Sequence, residues 1–111
     1  MSPTIRPLHL LSGLAQEAWD KAIADLGARG ILESVDAGLL TGYARLAGRC
    51  GILEKRLELE GPTLSAPQGE SYPNPLVAML GETRETLFMI ADELSLTPAS
   101  RARMTRPDSD V

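Results

Sequence analysis

The 111-residue chain carries a net charge of −4 at pH 7 and has a pI near 4.9. This balance argues against a general nucleic-acid coat protein, because nonspecific DNA binding requires clustered lysines and arginines, so any DNA contact must be local. Hydrophobic residues make up 43% of the chain but aromatic residues only 4%, which predicts an aliphatic core and an all-α fold. One domain spanning residues 1–111 is expected at this length.

The chain has too few ligands for a structural metal and no obvious membrane segment. Cys50 is the only cysteine and His9 the only histidine, so neither an intrachain disulfide nor a zinc site is expected. The N-terminal apolar run is too short for a signal peptide, and no stretch offers about 20 consecutive apolar residues. We therefore expect a soluble protein of a reducing cytoplasm, without a cofactor or a membrane partner.

Helical spacing of apolar residues predicts a long helical hairpin in the first half of the chain. The first helix is expected over about residues 12–26, with Gly27 as its stop. The second is expected over about residues 35–60, with Asp36 near its N-cap and Gly61 as its C-cap.

Residues 61–73 are rich in Gly, Pro and Ser and show no periodicity, which predicts a loop or internal linker. A third helix is predicted over residues 74–94, because Asn74 is a favoured N-cap and Pro75 suits the first helical position.

The same two-residue device, Thr97 followed by Pro98, predicts a short helix over residues 98–104. The tail, residues 105–111, is short, polar and acidic and is expected to be disordered.

The long second helix contains an apolar seam with heptad spacing. Its members are Leu39, Tyr43, Leu46, Cys50, Leu53 and Leu57. Four glycines in the same helix each destabilise it by about 0.5–1 kcal/mol, so packing must hold the helix. The seam could be buried by the first helix of the same chain, by another subunit, or by both, with the glycines permitting close approach.

Two groups of arginines are candidates for contacts with DNA phosphates. Arg45, Arg49 and Arg56 lie, with Ile52, on a second stripe of the long helix, roughly a quarter to a third of a turn from the seam. A second group follows the short helix start: Arg101, Arg103 and Arg106. The alternatives are a solvated face or ion pairs between subunits for the first group, and complementation of a helix dipole or of the acidic third helix for the second.

The residues present do not suggest catalysis. An enzyme needs a nucleophile with a base, a metal cluster or a pair of carboxylates in a pocket, and Cys50 lies in the apolar seam while His9 precedes the first helix. A helix-turn-helix is also a poor match, because the connection is too long and the helix after it is the longest in the chain. No catalytic residue is therefore predicted.

Five features follow one another along the chain: Trp19 in the first helix, Asp36 and then Tyr43 in the second, a Gly-rich loop, Asn74-Pro75, and Leu96-Thr97-Pro98-Ala99-Ser100-Arg101. In this order they resemble the phage terminase small subunits, over about Leu11 to Met104. Ser95 departs from the family pattern, which usually has Gly there, and the N-terminus lacks an extended basic arm.

The resemblance implies a noncatalytic component of a phage or prophage genome-packaging motor, acting in the cytoplasm of the bacterial host. Such subunits assemble as homo-oligomeric rings, recognise the packaging site on viral double-stranded DNA, and recruit the terminase large subunit, which holds the ATPase and nuclease. The alternative function is a helical oligomeric adaptor that binds only proteins.

Overall fold

The computed structural model describes residues 5–7, 11, 13–97, 99–100 and 102. Its elements, in chain order, are α1 (Gly13–Ala28), a 3-10 turn (Leu32–Ser34), α2 (Ala37–Glu60), β1 (Thr63–Ser65), β2 (Ser71–Pro73) and α3 (Pro75–Glu93). Ala99, Ser100 and Ala102 are also helical. The described part of the chain is therefore mostly helical, and within it the prediction of an all-α fold needs correction between α2 and α3, where β1 and β2 pair.

Local capping defines both ends of α2, as the sequence predicts. The carboxylate of Asp36 accepts hydrogen bonds from the amides of Gly38, at 2.7 Å, and Leu39, at 3.3 Å, which satisfies two amides that the helix itself leaves unpaired. Gly61 follows the last turn with φ of +86°, and its amide donates to the Leu57 carbonyl. A glycine adopts this conformation without steric cost.

Asn74 caps α3 and also holds it against the end of α2. Its side-chain oxygen accepts from the Leu76 amide at 2.9 Å, and Pro75 occupies the first turn. Its side-chain nitrogen donates to the Gly61 carbonyl at 2.9 Å and to the Glu60 carboxylate at 3.2 Å. Because Asn74 is buried, these bonds satisfy its amide and fix the connection between the two helices.

The segment between α2 and α3 forms a β-hairpin, so the prediction of a loop over residues 61–73 is wrong. The antiparallel strands pair Thr63 with Pro73, Leu64 with Tyr72, and Ser65 with Ser71. Gly69 has φ of +94° in the turn, and the Ala66 amide donates to the Glu70 carbonyl at 2.7 Å. Strands of three residues are too short for an alternating pattern to be recognised in the sequence.

The helix α1 extends past its predicted stop at Gly27 and ends in a left-handed turn at Gly30, whose φ is +74°. The amide of Ile31 donates to the Leu26 carbonyl, and the amide of Gly30 donates to the Gly27 carbonyl, both at 3.1 Å. This pair of bonds is the Schellman motif, in which the left-handed residue is usually glycine.

The helix α3 ends in the same motif, but with Ser95 as the left-handed residue at φ of +63°. The Leu96 amide donates to the Ala91 carbonyl at 2.9 Å, and the Ser95 amide donates to the Asp92 carbonyl at 3.1 Å. The departure from the family's usual glycine therefore preserves the turn. Its cost is the steric strain of an L-residue in this conformation.

The helices α1 and α2 form the predicted antiparallel hairpin, with a very close crossing at Gly48. A Cβ atom at Gly48 would lie 2.8 Å from the backbone nitrogen of Ala15. At the other end of the hairpin, Leu26 and Leu40 are fully buried in the same core cluster. Leu40 and Gly48 are eight residues apart, which is two steps of four. The face of α2 that meets α1 therefore follows a spacing of four residues, as in helix packing by ridges and grooves.

The helix α3 packs antiparallel to α2 on a different face. Leu76 and Leu80 form a second core cluster with Cys50 and Leu53 of α2. At the far end of α3, Leu94 joins the first cluster. The helix α2 thus lies between α1 and α3, and it buries one face against each.

We predict that Gly48→Ala lowers the free energy of unfolding by about 1–3 kcal/mol, because the added methyl group would meet the backbone of α1 and force the helices apart. Gly42→Ala is the matched control in the same helix, since nothing lies within 4 Å of a Cβ atom there. It should raise stability by about 0.5–1 kcal/mol. Urea unfolding of both variants measures the difference, and equal effects would contradict the close crossing.

We predict that Ser95→Gly stabilises the protein by about 0.5–1 kcal/mol, because relief of the left-handed strain exceeds the added entropy of the unfolded chain. Gly30→Ala, at the equivalent position after α1, should destabilise by about 1 kcal/mol. Chemical denaturation gives both values. A loss of stability in Ser95→Gly would show that the turn after α3 is not strained.

Candidate functional site

The six seam residues are buried or half-buried within the single chain. Cys50, Leu53 and Leu57 pack with α3 in the second cluster, while Leu39 and Tyr43 pack against the first. Leu46 is half-buried between these two groups along α2. The seam therefore packs largely on α3, and α1 covers the neighbouring face of α2. The heptad pattern did not identify this second buried face.

The second predicted stripe of α2 is exposed as a whole. We call Arg45, Arg49, Ile52 and Arg56 the basic stripe. Ile52 is 56% exposed in it, and Arg56 forms an ion pair with Glu60 at 3.2 Å one turn further along α2. Among residues 13–97, Arg45 and Arg49 make no hydrogen bond or ion pair through their side chains.

The helix α3 carries an exposed stripe of opposite charge on the side that faces away from α2. We call Ala78, Glu82, Glu85 and Met89 the acidic face. Met89 is 67% exposed. A half turn of the helix separates these residues from Leu76, Leu80 and Leu87, which pack on α2.

The predicted start of the C-terminal helix is firmly anchored. The Ser100 amide donates to the Thr97 hydroxyl and the Thr97 amide donates to the Ser100 hydroxyl, both at 3.1 Å, and the Thr97 hydroxyl also donates to the Asp92 carboxylate at 2.9 Å. Thr97 and Ser100 are buried. The pair forms a reciprocal capping arrangement.

The remaining C-terminal predictions lie outside the described residues. They are Pro98, Arg101, Arg103, Arg106 and the tail 105–111. The N-terminal positions Ser12 and His9 lie outside them as well.

The sequence was compared with known proteins. A model of the family described as phage terminase, small subunit, matches residues 15–111. The chain belongs to this family. The resemblance to the phage terminase small subunits is thereby confirmed. No curated protein and no solved structure matches the chain.

In this terminase small subunit, Arg29 is a structural residue that the sequence analysis missed. Its guanidinium donates to the Ser95 carbonyl at 2.7 Å and pairs with Asp25 at 2.9 Å. It therefore ties the end of α1 to the turn after α3. Arg29 directly follows the last residue of α1, and a basic residue near a helix C-terminus can contact carbonyl groups. Nothing local indicates a partner 66 residues away.

Cys50 of this terminase small subunit behaves as an apolar core residue. Burial raises the pKa of its thiol, the Glu54 carboxylate raises that pKa further, and Arg84 lowers it. Arg84 is itself paired with Glu54 at 2.6 Å. A thiol kept neutral in this way is a poor nucleophile.

Across the described ranges, no group of three or more His, Cys, Asp or Glu residues could hold a metal ion. No helix there is long and apolar enough to cross a membrane. The candidate binding features of the described residues are the exposed charged surfaces of α2 and α3 and the hydrogen-bonded helix start at Thr97.

We predict that the free energy of unfolding falls as the pH rises above about 8.5, the ordinary pKa of a thiol. The pKa of Cys50 is raised in the folded state, so above that pH the unfolded chain loses the thiol proton first and is stabilised relative to the folded chain. Cys50→Ala should remove this slope between pH 8 and 9.5. Urea unfolding as a function of pH measures the slope, and its persistence in the variant would contradict the assignment.

Proposed function

We propose that this terminase small subunit is the DNA-recognition and regulatory component of a viral genome-packaging motor. It assembles as a homo-oligomeric ring, binds the packaging site on viral double-stranded DNA, and recruits the large subunit that carries the ATPase and nuclease. It has no catalytic activity of its own, acts as one domain over residues 1–111, and works in the cytoplasm of the bacterial host. Membership of the terminase small subunit family supports this proposal.

The observation that carries the DNA contact is the anchored helix start at Thr97. This start is fixed at the Thr97 hydroxyl, which donates to the Asp92 carboxylate and accepts from the Ser100 amide. Three arginines follow within nine residues of Thr97 in the sequence: Arg101, Arg103 and Arg106. Positive charges that follow closely in sequence on a fixed helix start are suited to phosphate contacts, which position a protein on DNA. In a ring, each copy would add three such arginines. Near the DNA, these positive charges would offset the net charge of −4 that each chain carries.

A helical adaptor that binds only proteins is the second candidate function. The acidic face of α3 favours it, because exposed carboxylates repel phosphates and suit a basic or apolar protein surface. The two functions differ in whether removal of the C-terminal positive charges changes DNA binding.

We predict that Arg101→Gln/Arg103→Gln/Arg106→Gln weakens binding to a DNA fragment containing the phage packaging region. If all three side chains contact phosphates, the slope of log K against log salt concentration becomes shallower by about 2.7. Binding titrations at several salt concentrations measure both quantities. The assembly state of the variant is checked by light scattering, so that loss of a ring is not mistaken for loss of phosphate contacts.

The matched control removes three exposed positive charges elsewhere, at Arg6, Lys21 and Lys55. This control variant should keep the wild-type affinity and slope within about twofold, because long-range effects of exposed charges are screened by salt. Unaltered DNA binding by the C-terminal variant would overturn the proposed contact. Equal losses of DNA affinity in both variants would show that binding depends on the net charge of the chain and not on the positions of the C-terminal arginines.

A further inference from the structure

We propose that the basic stripe of α2 docks onto the acidic face of α3 in a neighbouring copy of this chain. The inference rests on the ring assembly proposed above and names the two surfaces that build it. Its physical basis is the match of charge, spacing and exposure between these two surfaces.

The two surfaces have the same periodicity. Arg45, Arg49, Ile52 and Arg56 follow one another at spacings of four, three and four residues, and so do Ala78, Glu82, Glu85 and Met89. At 1.5 Å per residue each surface is about 16 Å long. Because equal spacing lets two helices stay in contact over several turns, arginines of the basic stripe can reach the two central carboxylates of the acidic face, Glu82 and Glu85.

Each surface also contains an apolar side chain that the fold leaves in water. Ile52 is 56% exposed in the basic stripe, and Met89 is 67% exposed on the acidic face. Leu59, which continues the basic stripe towards the end of α2, is 87% exposed. Contact between copies would remove these side chains from water, which adds a hydrophobic contribution to the electrostatic attraction.

A single chain does not bring the two surfaces together. The acidic face points away from α2, because residues half a turn away on α3 form the core with α2. In the described part of the chain, the carboxylates of Glu82 and Glu85 make no ion pair, as is also true of Arg45 and Arg49. These four charges are therefore without an ion pair in the described part of the single chain, whereas Arg56, at the end of the basic stripe, already pairs with Glu60.

Because the contact joins two different surfaces, copies of the chain can associate head to tail. Each copy would use its α2 to meet one neighbour and its α3 to meet the other. Such heterologous contacts form a closed ring when the rotation between copies closes. The inference also separates the two groups of arginines, because it assigns Arg45, Arg49 and Arg56 to subunit contacts and leaves the C-terminal arginines for DNA.

Two double variants test the contact: Arg45→Glu/Arg49→Glu and Glu82→Arg/Glu85→Arg. The first has two negative surfaces and the second has two positive ones, so each should resist assembly by itself, with an association constant at least tenfold weaker than that of the wild type. Mixed in equal amounts, they should assemble together, because the negative surfaces of one variant meet the positive surfaces of the other. The chain with all four changes should assemble alone.

Masses are measured by light scattering over a range of concentrations, without DNA. The matched controls are Arg6→Glu/Lys21→Glu and Glu17→Arg/Glu33→Arg, which shift the net charge of −4 by the same four units at exposed positions elsewhere. Both controls should keep the wild-type mass. Far-ultraviolet circular dichroism verifies that every variant has the wild-type helix content.

Three outcomes would overturn the inference. If either double variant alone keeps the wild-type mass, or if the mixture of the two stays monomeric, the subunits meet through other surfaces. The proposed ring assembly is not contradicted by these two outcomes as long as the wild type is oligomeric. If the wild type is monomeric at all concentrations, the ring assembly fails together with this contact. DNA binding through the C-terminal arginines is tested independently, by the salt titrations described above.

Discussion

The close crossing of α1 over α2 at Gly48 is the constraint on which the rest of the structure depends. A helix with four glycines is unstable alone, since each costs about 0.5–1 kcal/mol relative to alanine. Gly48 stabilises the fold indirectly, because the absence of a side chain lets the backbone of α1 approach. Because α1 packs on that face, the seam face of α2 remains available to α3, which covers Cys50, Leu53 and Leu57.

Two polar side chains then hold α3 at its ends. Asn74 bonds the start of α3 to the end of α2, and Arg29 bonds the turn after α3 to the end of α1. Because both ends are fixed, the acidic face of α3 has a defined direction relative to the basic stripe of α2. The anchored start at Thr97 follows from the same arrangement, since its partner Asp92 lies in the last turns of α3.

The sequence predicted most of the features that depend on local chemistry, although it ended α1 at Gly27 and not in the turn at Gly30. The caps at Asp36, Gly61 and Asn74 follow from side-chain and backbone preferences within a few residues, and a rotation of 100° per residue was enough to place the basic stripe together. The heptad pattern identified buried residues of α2 but not the helix that covers them, because periodicity describes one helix and carries no information on its partner. The contact between Arg29 and Ser95 and the short β-hairpin were missed for related reasons, since the first links distant residues and the second is too short to show a period.

The chain carries negative charge on the acidic face of α3 and positive charge in its C-terminal arginines. This separation of charge would couple the proposed assembly to the proposed DNA recognition. The carboxylates of the acidic face repel DNA phosphates near them as long as this face is exposed, and this repulsion adds to that of the net charge of −4. Covering that face with a neighbour's arginines would neutralise it and leave the C-terminal arginines as the dominant charges near the DNA. Assembly would then strengthen DNA binding electrostatically, and salt would weaken both steps together, because both rest on pairing of exposed charges. If the proposed ring forms, local pairing of charges between copies would offset part of the repulsion that the acidic composition predicts for DNA binding by a monomer.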